Sequence, residues 1–254
     1  MALNSKKNKT SFLFPEENQK TLHKNLNFTA AEQYKLIRAN LSFTLPEGNK
    51  CPVIGITSAM RGEGKSTTAV NISYVLAESG SKVLLIDGDL RIPSIAKKLS
   101  ISNAPGLTDW LMDKNSVNIE NFKSSLLDNW YIIPSGEIPP NPSELLGSKR
   151  MEACLEKFKE TFDYIIIDLP PVNIVSDAVA ISSLTTGMIV VIREGHSEKK
   201  ELEHCLRQLQ LTDTKILGCV MNGTRTGGGS YKKYKKYKYY KYYRYYQSSS
   251  KETK

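Results

Sequence analysis

The chain has 254 residues, of which 40% are hydrophobic and 24% are charged, and its formal net charge is +9. This length and composition suit one α/β domain with extensions, and they exclude a fibrous or wholly disordered chain. No run approaches the roughly 18–20 apolar residues of a membrane span, and the first apolar stretch is too short for a signal peptide, so we expect a cytoplasmic protein.

The elements predicted along the chain begin after a polar, aperiodic arm at residues 1–27. Residues 28–45 carry helical periodicity, with Thr29 as the predicted N-cap and Pro46 beyond the end. Apolar strands then alternate with helices, which predicts an α/β fold with a mostly parallel sheet covered by helices on both faces. The predicted strands lie at 52–57, 82–87, within 129–136, 163–171, 187–192 and 215–222, and the helices at 65–80, 151–162 and 197–211.

A glycine-rich segment, "AMRGEGKST" at 59–67, separates the first predicted strand from the first helix of the sheet. Glycines let backbone N–H groups close around phosphate oxygens, and the helix amino terminus favours their negative charge. Lys65 would bridge the β- and γ-phosphates, and the Ser66 hydroxyl would bind Mg²⁺. The predicted fold is therefore that of a P-loop NTPase, and the candidate nucleotide-binding residues are Arg61, Gly62, Glu63, Gly64, Lys65, Ser66 and Thr67.

Two further strands deliver carboxylates to the same edge of the predicted sheet. The second strand ends in "LLIDGDLR", with Asp87 and Asp89, and the fourth ends in "IIIDLPP", with Asp168. Ligands of open α/β sheets bind at the carboxyl ends of the strands, so three carboxylates there indicate Mg²⁺ binding and catalysis. If the second strand continues to Asp89, both of its aspartates face the same side.

The carboxyl-terminal segment explains the charge of the whole chain. Residues 231–254 hold nine Lys and Arg against one Glu, which leaves 26 basic and 25 acidic residues before them. We predict that 224–254 is a flexible linker and tail. The tail either binds an acidic partner or presents tyrosines as substrates, and its candidate phosphorylation sites are Tyr231, Tyr234, Tyr237, Tyr239, Tyr240, Tyr242, Tyr243, Tyr245 and Tyr246.

Taken together, these motifs resemble the bacterial tyrosine kinases of capsule and exopolysaccharide synthesis. The resemblance rests on "AMRGEGKST", "LLIDGDLR", "IIIDLPP", the segment "SGEIPPNPSELLGS" at 135–148 and the tyrosine-rich tail, and it covers residues 28–246. That family resembles partition-type P-loop ATPases in fold. It implies a kinase domain at 28–223 that uses ATP and Mg²⁺ to phosphorylate its own tail and regulates polysaccharide synthesis, chain length or export.

The resemblance also implies roles for single residues. Lys65 and the hydroxyl residues after it would hold the ATP phosphates, and Asp87 and Asp168 would organise the metal together with Ser66. Asp89 would take the proton from an incoming tyrosine. Arg91 would support this motif as part of the catalytic set, and Asn222 would contact adenine.

The first helix fits the resemblance as an oligomerisation element. Glu32, Lys35 and Arg38 are three apart, which we interpret as one charged face of the helix. Spacing alone favours a solvated charged face. In the family that the sequence resembles, such a face pairs with a neighbouring subunit and closes a ring. Within such a ring, each subunit would phosphorylate the tail of its neighbour.

The resemblance implies partners that the sequence does not identify. They are a separate transmembrane activator with a cytoplasmic segment, a cognate tyrosine phosphatase and polysaccharide-synthesis enzymes as substrates. The activator would hold the kinase at the inner face of the cell membrane, and no nucleic acid is expected as a partner.

Two positions depart from the family pattern, and one alternative function stays open. Leu169 stands where Thr is common and removes a hydroxyl near the metal, and Gly223 stands where Lys is common. The alternative is a partition or positioning ATPase whose tail binds nucleic acid or anionic membrane. Arg61, near the start of the phosphate loop, keeps that alternative open.

Overall fold

The structure is a computed structural model that describes residues 25–46, 48, 50–112 and 118–224. The chain divides into two units after Asn222, and the architecture below belongs to the first. Most of the predicted arm at 1–27 and all nine candidate tail tyrosines lie outside the described residues. Within the described part, no helix is both long and apolar enough to cross a membrane.

Six parallel strands form one sheet in the order β3-β2-β4-β1-β5-β6. This confirms the predicted fold class. The strands are β1 Val53–Ser58, β2 Val83–Asp87, β3 Trp130–Ile133, β4 Tyr164–Asp168, β5 Gly187–Arg193 and β6 Ile216–Asn222. The helices are α1 Phe28–Thr44, α2 Lys65–Glu78, α3 Ile95–Leu99, α4 Leu107–Leu111, α5 Pro142–Leu146, α6 Lys149–Lys159, α7 Asp177–Ala180 and α8 Lys199–Gln210, with short 3₁₀ turns at Ile119–Phe122 and Ser182–Leu184.

Alternating strand residues pack into two separate cores, one on each face of the sheet. In β2, Leu84 and Ile86 join the core that α6 and α8 cover, whereas Val83 and Leu85 join the core beneath α1 and α2. All five residues of β2 are buried, which explains its continuous apolar sequence. Each such aliphatic side chain contributes about 1.5–3 kcal/mol by leaving water.

Two local predictions need correction. The N-cap of α1 is Asn27, whose side chain accepts a hydrogen bond from Ala30 N at 2.9 Å, and not Thr29, which lies within the helix. Strand β2 ends at Asp87, so Asp89 is not the next residue on the same face of a strand. The backbone turns after Asp87 because its carboxylate accepts hydrogen bonds from the N–H groups that precede and begin α3.

Candidate active site

The phosphate loop lies between β1 and α2 at the carboxyl edge of the sheet. Gly62 and Gly64 have φ of 80° and 96°, a region that favours glycine. At Gly64 a Cβ would also collide with the side-chain amide of Asn222. The amino terminus of the 14-residue helix α2 follows at once, an arrangement that suits the binding of an anion by backbone N–H groups.

Two of the predicted nucleotide-binding residues, Glu63 and Asn222, also form hydrogen bonds that support the loop within the protein. The Glu63 side chain is buried and accepts hydrogen bonds from Met60 N at 2.8 Å and from the Ser197 hydroxyl. The Asn222 amide donates to Glu63 O at 3.1 Å and to Thr68 Oγ1 at 3.1 Å. These contacts position the loop, and contact of Asn222 with adenine stays a prediction.

Side chains at the end of β5 and just beyond it complete the support of the loop, and the sequence did not indicate them. Arg193 Nη1 donates to Gly62 O at 3.0 Å, and His196 Nε2 lies 3.0 Å from Arg61 O. That second contact is a hydrogen bond when Nε2 carries the proton. Because β5 is the neighbour of β1 in the sheet, its carboxyl end lies beside the loop.

A cavity of about 470 Å³ opens beside the loop. It brings together most of the predicted site and adds a cationic and an apolar wall. Its lining is Arg61, Gly62, Gly64, Lys65, Ser66, Thr67, Asp89, Arg91, Ile92, Ser94, Lys98, Pro170, Pro171, Ile174, Val175 and Arg193.

Lys65 and Asp89 meet inside this cavity. Lys65 Nζ donates to Asp89 Oδ2 at 2.8 Å, and both side chains are largely buried. Burial acts to lower the pKa of Lys65, but the charges of Asp168 and Asp89 outweigh it, so the pKa is raised and the ammonium stays charged. Asp89 Oδ1 accepts from Ile92 N at 3.1 Å, which orients the carboxylate.

Asp87 sits deeper, at the end of β2 and in register with Asp168 of β4. Its carboxylate accepts from Asp89 N at 3.3 Å, Ser94 N at 3.1 Å and Ile95 N at 3.0 Å. Burial raises the pKa of Asp87 to about 8, the charge of Asp168 adds to the rise, and the N–H groups of Ile95 and Ser94 oppose it.

Asp168 is fully buried, and neither of its carboxylate oxygens has a hydrogen-bond partner among the described residues. Burial raises the pKa of this group to about 6, and the Lys65 ammonium opposes the rise. The nearby Ser66 hydroxyl also lowers that pKa, although it is not in hydrogen-bonding geometry with the carboxylate. An unpartnered buried carboxylate calls for a cation.

These residues fit Mg²⁺. Mg²⁺ takes one or two carboxylates and completes its shell with water and nucleotide phosphates. Asp168 and the Ser66 hydroxyl would hold it beside Lys65, with Asp87 next to Asp168.

Arg91 belongs to a network that the sequence did not reveal. Its Nε donates to Asp177 Oδ2 at 3.0 Å and its Nη2 to Asp177 Oδ1 at 3.0 Å, and the Asp177 side chain is fully buried. Ser143 Oγ donates to the same carboxylate at 2.5 Å. The segment at 135–148 therefore reaches the site through the start of α5, and Asp177 and Ser143 fix the position of Arg91.

Helix α1 arranges its predicted interface residues differently from the single charged face expected. Glu32 and Lys35 form an exposed ion pair of 2.9 Å, but Arg38 Nη1 donates to Val75 O of α2 at 3.1 Å. A spacing of three rotates each side chain by about 60° on a helix, so the third one reaches the neighbouring helix. Three large apolar side chains of α1 are exposed, at Phe28, Leu36 and Phe43.

Leu169 lies in the core beneath the site and is fully buried. A Cβ at Gly55 would lie 3.0 Å from its Cδ1, and one at Gly88 would lie 3.1 Å from its Cδ2. The leucine therefore fills the space that these two glycines leave, directly after the buried carboxylate Asp168.

A parallel sheet with a glycine loop, a buried lysine and buried carboxylates at its carboxyl edge defines a P-loop nucleotide-binding protein. Comparisons with known proteins agree. A family model described as an AAA domain matches residues 51–219. The chain is 39% identical over 195 residues to the tyrosine-protein kinase YwqD of Bacillus subtilis, which covers 77% of this chain and 81% of that protein.

Two further comparisons point the same way. The identity to the tyrosine-protein kinase CpsD of Streptococcus pneumoniae serotype 4 is 36% over 194 residues, or 76% of this chain and 84% of that protein. The crystal structure of the chimerical protein CapA2B2 superposes with a TM-score of 0.76 at 30% identity, covering 84% of this chain and 93% of that one. The chain belongs to the family of bacterial tyrosine-protein kinases, as its motifs indicated.

Proposed function

We propose that this kinase transfers the γ-phosphoryl group of ATP to tyrosines of its own segment 231–246, with Mg²⁺ as the metal. One observation carries the proposal: Lys65 of the phosphate loop and the Asp89 carboxylate lie 2.8 Å apart in one cavity. A group that holds phosphate and a group that accepts a proton therefore share the space where a phosphoryl acceptor must enter.

Each residue then has a defined task. The loop N–H groups and Lys65 hold the phosphates and neutralise their charge. Bound Mg²⁺ would supply the remaining positive charge between the phosphates. A nucleotide that engages Lys65 releases Asp89 from its ion pair, and the free carboxylate accepts the proton of a tyrosine hydroxyl, whose ordinary pKa is about 10.

The basic character of the tail suits this role. Residues 231–246 hold nine tyrosines with six lysines and one arginine. Each phosphate adds about −1.5 to −2 charge at pH 7, so full modification inverts the sign of the segment. We propose that the inversion drives tails out of neighbouring active sites and loosens the assembly.

We further propose that the chain forms a homo-oligomeric ring in which tails enter neighbouring sites. Support comes from α1, where Phe28, Leu36 and Phe43 are spaced eight and seven residues apart and share one exposed side with Glu32 and Lys35. Arg38 would act indirectly, by fixing α1 on α2.

The cellular setting follows from the family as a proposal. The kinase would be cytoplasmic and peripheral at the inner face of the membrane, held there by a transmembrane activator. A tyrosine phosphatase would reverse the modification, and polysaccharide-synthesis enzymes would be further substrates. Through them the kinase would regulate the synthesis, chain length or export of capsular polysaccharide or exopolysaccharide.

Mass spectrometry of the purified protein after incubation with Mg-ATP tests the proposal. Lys65→Met and Asp89→Asn serve as comparison variants, and the cytoplasmic segment of the activator is added to all samples. We expect phosphate on residues 231–246 of the wild type and its loss in both variants. Hydrolysis of ATP without phosphotyrosine would instead indicate a partition-type ATPase with a binding tail.

A further inference from the structure

The cavity has a second lysine that the proposed reaction has not used. Lys98 lies in the last turn of α3 and lines the cavity together with Lys65 and Asp89. Its side-chain ammonium, unlike that of Lys65, forms no hydrogen bond or ion pair with another described residue, although its backbone N–H takes part in the first turn of α3. Its neighbour Lys97 is on the same short helix but is exposed and does not line the cavity.

The other basic residues of the cavity wall are mostly engaged. Lys65 pairs with Asp89, Arg91 is bound by Asp177, and Arg193 donates to the backbone of the phosphate loop. Lys98 is half-buried, and its positive charge acts on the Asp168 carboxylate. An ammonium group in such a wall that is not hydrogen-bonded to an anion among the described residues is available for an anionic ligand.

A hydroxyl group in the same wall is also unpartnered. Ser94 Oγ is buried and has no hydrogen-bond partner among the described residues, and Ser94 lines the cavity. Lys98 N donates to Ser94 O at 2.9 Å, so the two residues lie one helical turn apart on the same side of α3. A hydroxyl residue and a lysine one helical turn apart in the same cavity wall suit a phosphoryl group.

The order of the strands decides which side of the reaction this wall faces. The phosphate loop follows β1, whereas α3 follows β2, and β4 lies between these strands. Asp89, the proton acceptor, lies on the β2 side together with Lys98. The amino end of α3 is fixed there because Ser94 N and Ile95 N both donate to Asp87 Oδ2.

We propose that Lys98, assisted by the Ser94 hydroxyl, is a further catalytic residue that contacts the phosphoryl group from the acceptor side and holds it on the product tyrosine. In the step it serves, the bond from the γ-phosphorus to the β–γ bridging oxygen breaks, and a bond from tyrosine Oη to that phosphorus forms. The hydroxyl proton passes to Asp89, and Lys98 stays an ammonium throughout. This inference rests on the proposed function.

The first test separates nucleotide binding from transfer. Lys98→Met, Lys98→Arg, Ser94→Ala and the matched control Lys97→Met are compared with the wild type for kcat toward a peptide of residues 231–246 and for the Kd of Mg-ADP. We expect Lys98→Met to lower kcat roughly 10- to 100-fold with the Mg-ADP Kd within about twofold, since one contact to transferring charge is lost. Lys98→Arg should recover part of the rate, Ser94→Ala should show a smaller loss, and Lys97→Met should match the wild type.

The second test does not depend on turnover. Fluorescence anisotropy measures binding of the same peptide, with and without one phosphotyrosine, to each variant with Mg-ADP bound. We expect the wild type and Lys97→Met to prefer the phosphorylated peptide about 5- to 10-fold and Lys98→Met to lose that preference.

Three results separate this inference from the proposed function. If the wild type phosphorylates tyrosine but Lys98→Met behaves like Lys97→Met in both tests, Lys98 has no such role and the kinase assignment stands. A loss of Mg-ADP affinity in Lys98→Met in proportion to kcat would place the lysine on the nucleotide side and overturn the inference. Absence of phosphotyrosine in the wild type would overturn the proposed function itself.

Discussion

The contact between Arg91 and Asp177 allows a worked prediction for Asp177→Asn. The Asp177 carboxylate is fully buried and accepts two Arg91 hydrogen bonds of 3.0 Å and one from Ser143. Asparagine keeps one acceptor oxygen but turns an NH₂ group toward a guanidinium that only donates. The variant therefore loses the ion pair, and its NH₂ group faces an N–H donor of Arg91 with no acceptor between them.

The size of the effect follows from burial. Removing one partner of a fully buried pair costs about 3–5 kcal/mol, whereas exposed pairs contribute about 0.2–1 kcal/mol. Arg91 keeps 41% of its side-chain area exposed and can turn to water, so we expect a loss of about 2 kcal/mol in the free energy of unfolding. Because Arg91 lines the cavity, tyrosine phosphorylation should also fall about tenfold at unchanged Mg-ADP affinity.

Urea unfolding and a double-mutant cycle with Arg91→Met measure this contact. The cycle should return a coupling energy of about 1–2 kcal/mol between residues 91 and 177. The matched control is Asp128→Asn, whose side chain is 99% exposed in its ion pair with Lys123, and it should change stability by less than about 0.5 kcal/mol. A coupling energy no larger than the effect of Asp128→Asn would refute the positioning role of Asp177.

Three further predictions concern the loop and the buried carboxylates. Gly64→Ala should weaken Mg-ADP binding at least tenfold, because a Cβ at this position meets the Asn222 side chain. The control Gly80→Ala, with φ of 102° but open space for a Cβ, should keep Mg-ADP binding and lose only about 1 kcal/mol of stability to backbone strain. Equal Mg-ADP binding by both variants, measured calorimetrically, would contradict the steric explanation. The free energy of unfolding of the nucleotide-free protein, measured by urea titration, should fall by at least about 1 kcal/mol between pH 5.5 and 8, because the pKa of Asp87 is raised to about 8 and the folded state binds more protons than the unfolded state across that window. Mg-ADP should make this fall smaller. A free energy of unfolding that rises with pH would contradict the raised pKa of Asp87. Asp168→Asn should stabilise the nucleotide-free protein by about 1 kcal/mol at pH 8, because it removes a buried charge that has no hydrogen-bond partner among the described residues. The same variant should abolish the Mg²⁺ dependence of nucleotide binding. A destabilised variant would show that the carboxylate has a structural partner.

Sequence patterns were sufficient wherever an element is long or a motif is local. The continuous apolar runs predicted the six strands that the described residues form and their parallel arrangement, because strands covered on both faces, such as β1 and β2, are buried along their whole length. The phosphate loop was also predictable, since glycine spacing and the following helix lie within nine residues. Its lysine and serine were found in the cavity as expected.

Contacts made by the tertiary fold were out of reach. Arg193, at the end of β5, and Asp177, at the start of α7, contact site residues more than 80 positions away in the sequence, and no spacing in the sequence encodes those contacts. Helices α3, α4, α5 and α7 have only four or five residues, too few for a helical period to be visible. The Glu63 side chain is oriented by a hydrogen bond from Ser197, which is distant in the sequence. The sequence therefore could not show that Glu63, a residue of the motif itself, is buried and supports the loop.

A mixing experiment tests the central claim most directly. Lys65→Met protein with an intact tail is mixed with wild-type protein truncated after residue 230, and Mg-ATP and the activator segment are added. In this mixture only the truncated chains can transfer phosphate, and only the Lys65→Met chains carry the tail. The account predicts phosphate on tyrosines 231–246 of the Lys65→Met chains by mass spectrometry, and none when Asp89→Asn is added to the truncated protein. The claim would be contradicted if the truncated protein consumed ATP but no tail carried phosphate, and if the full-length wild type alone also stayed unmodified.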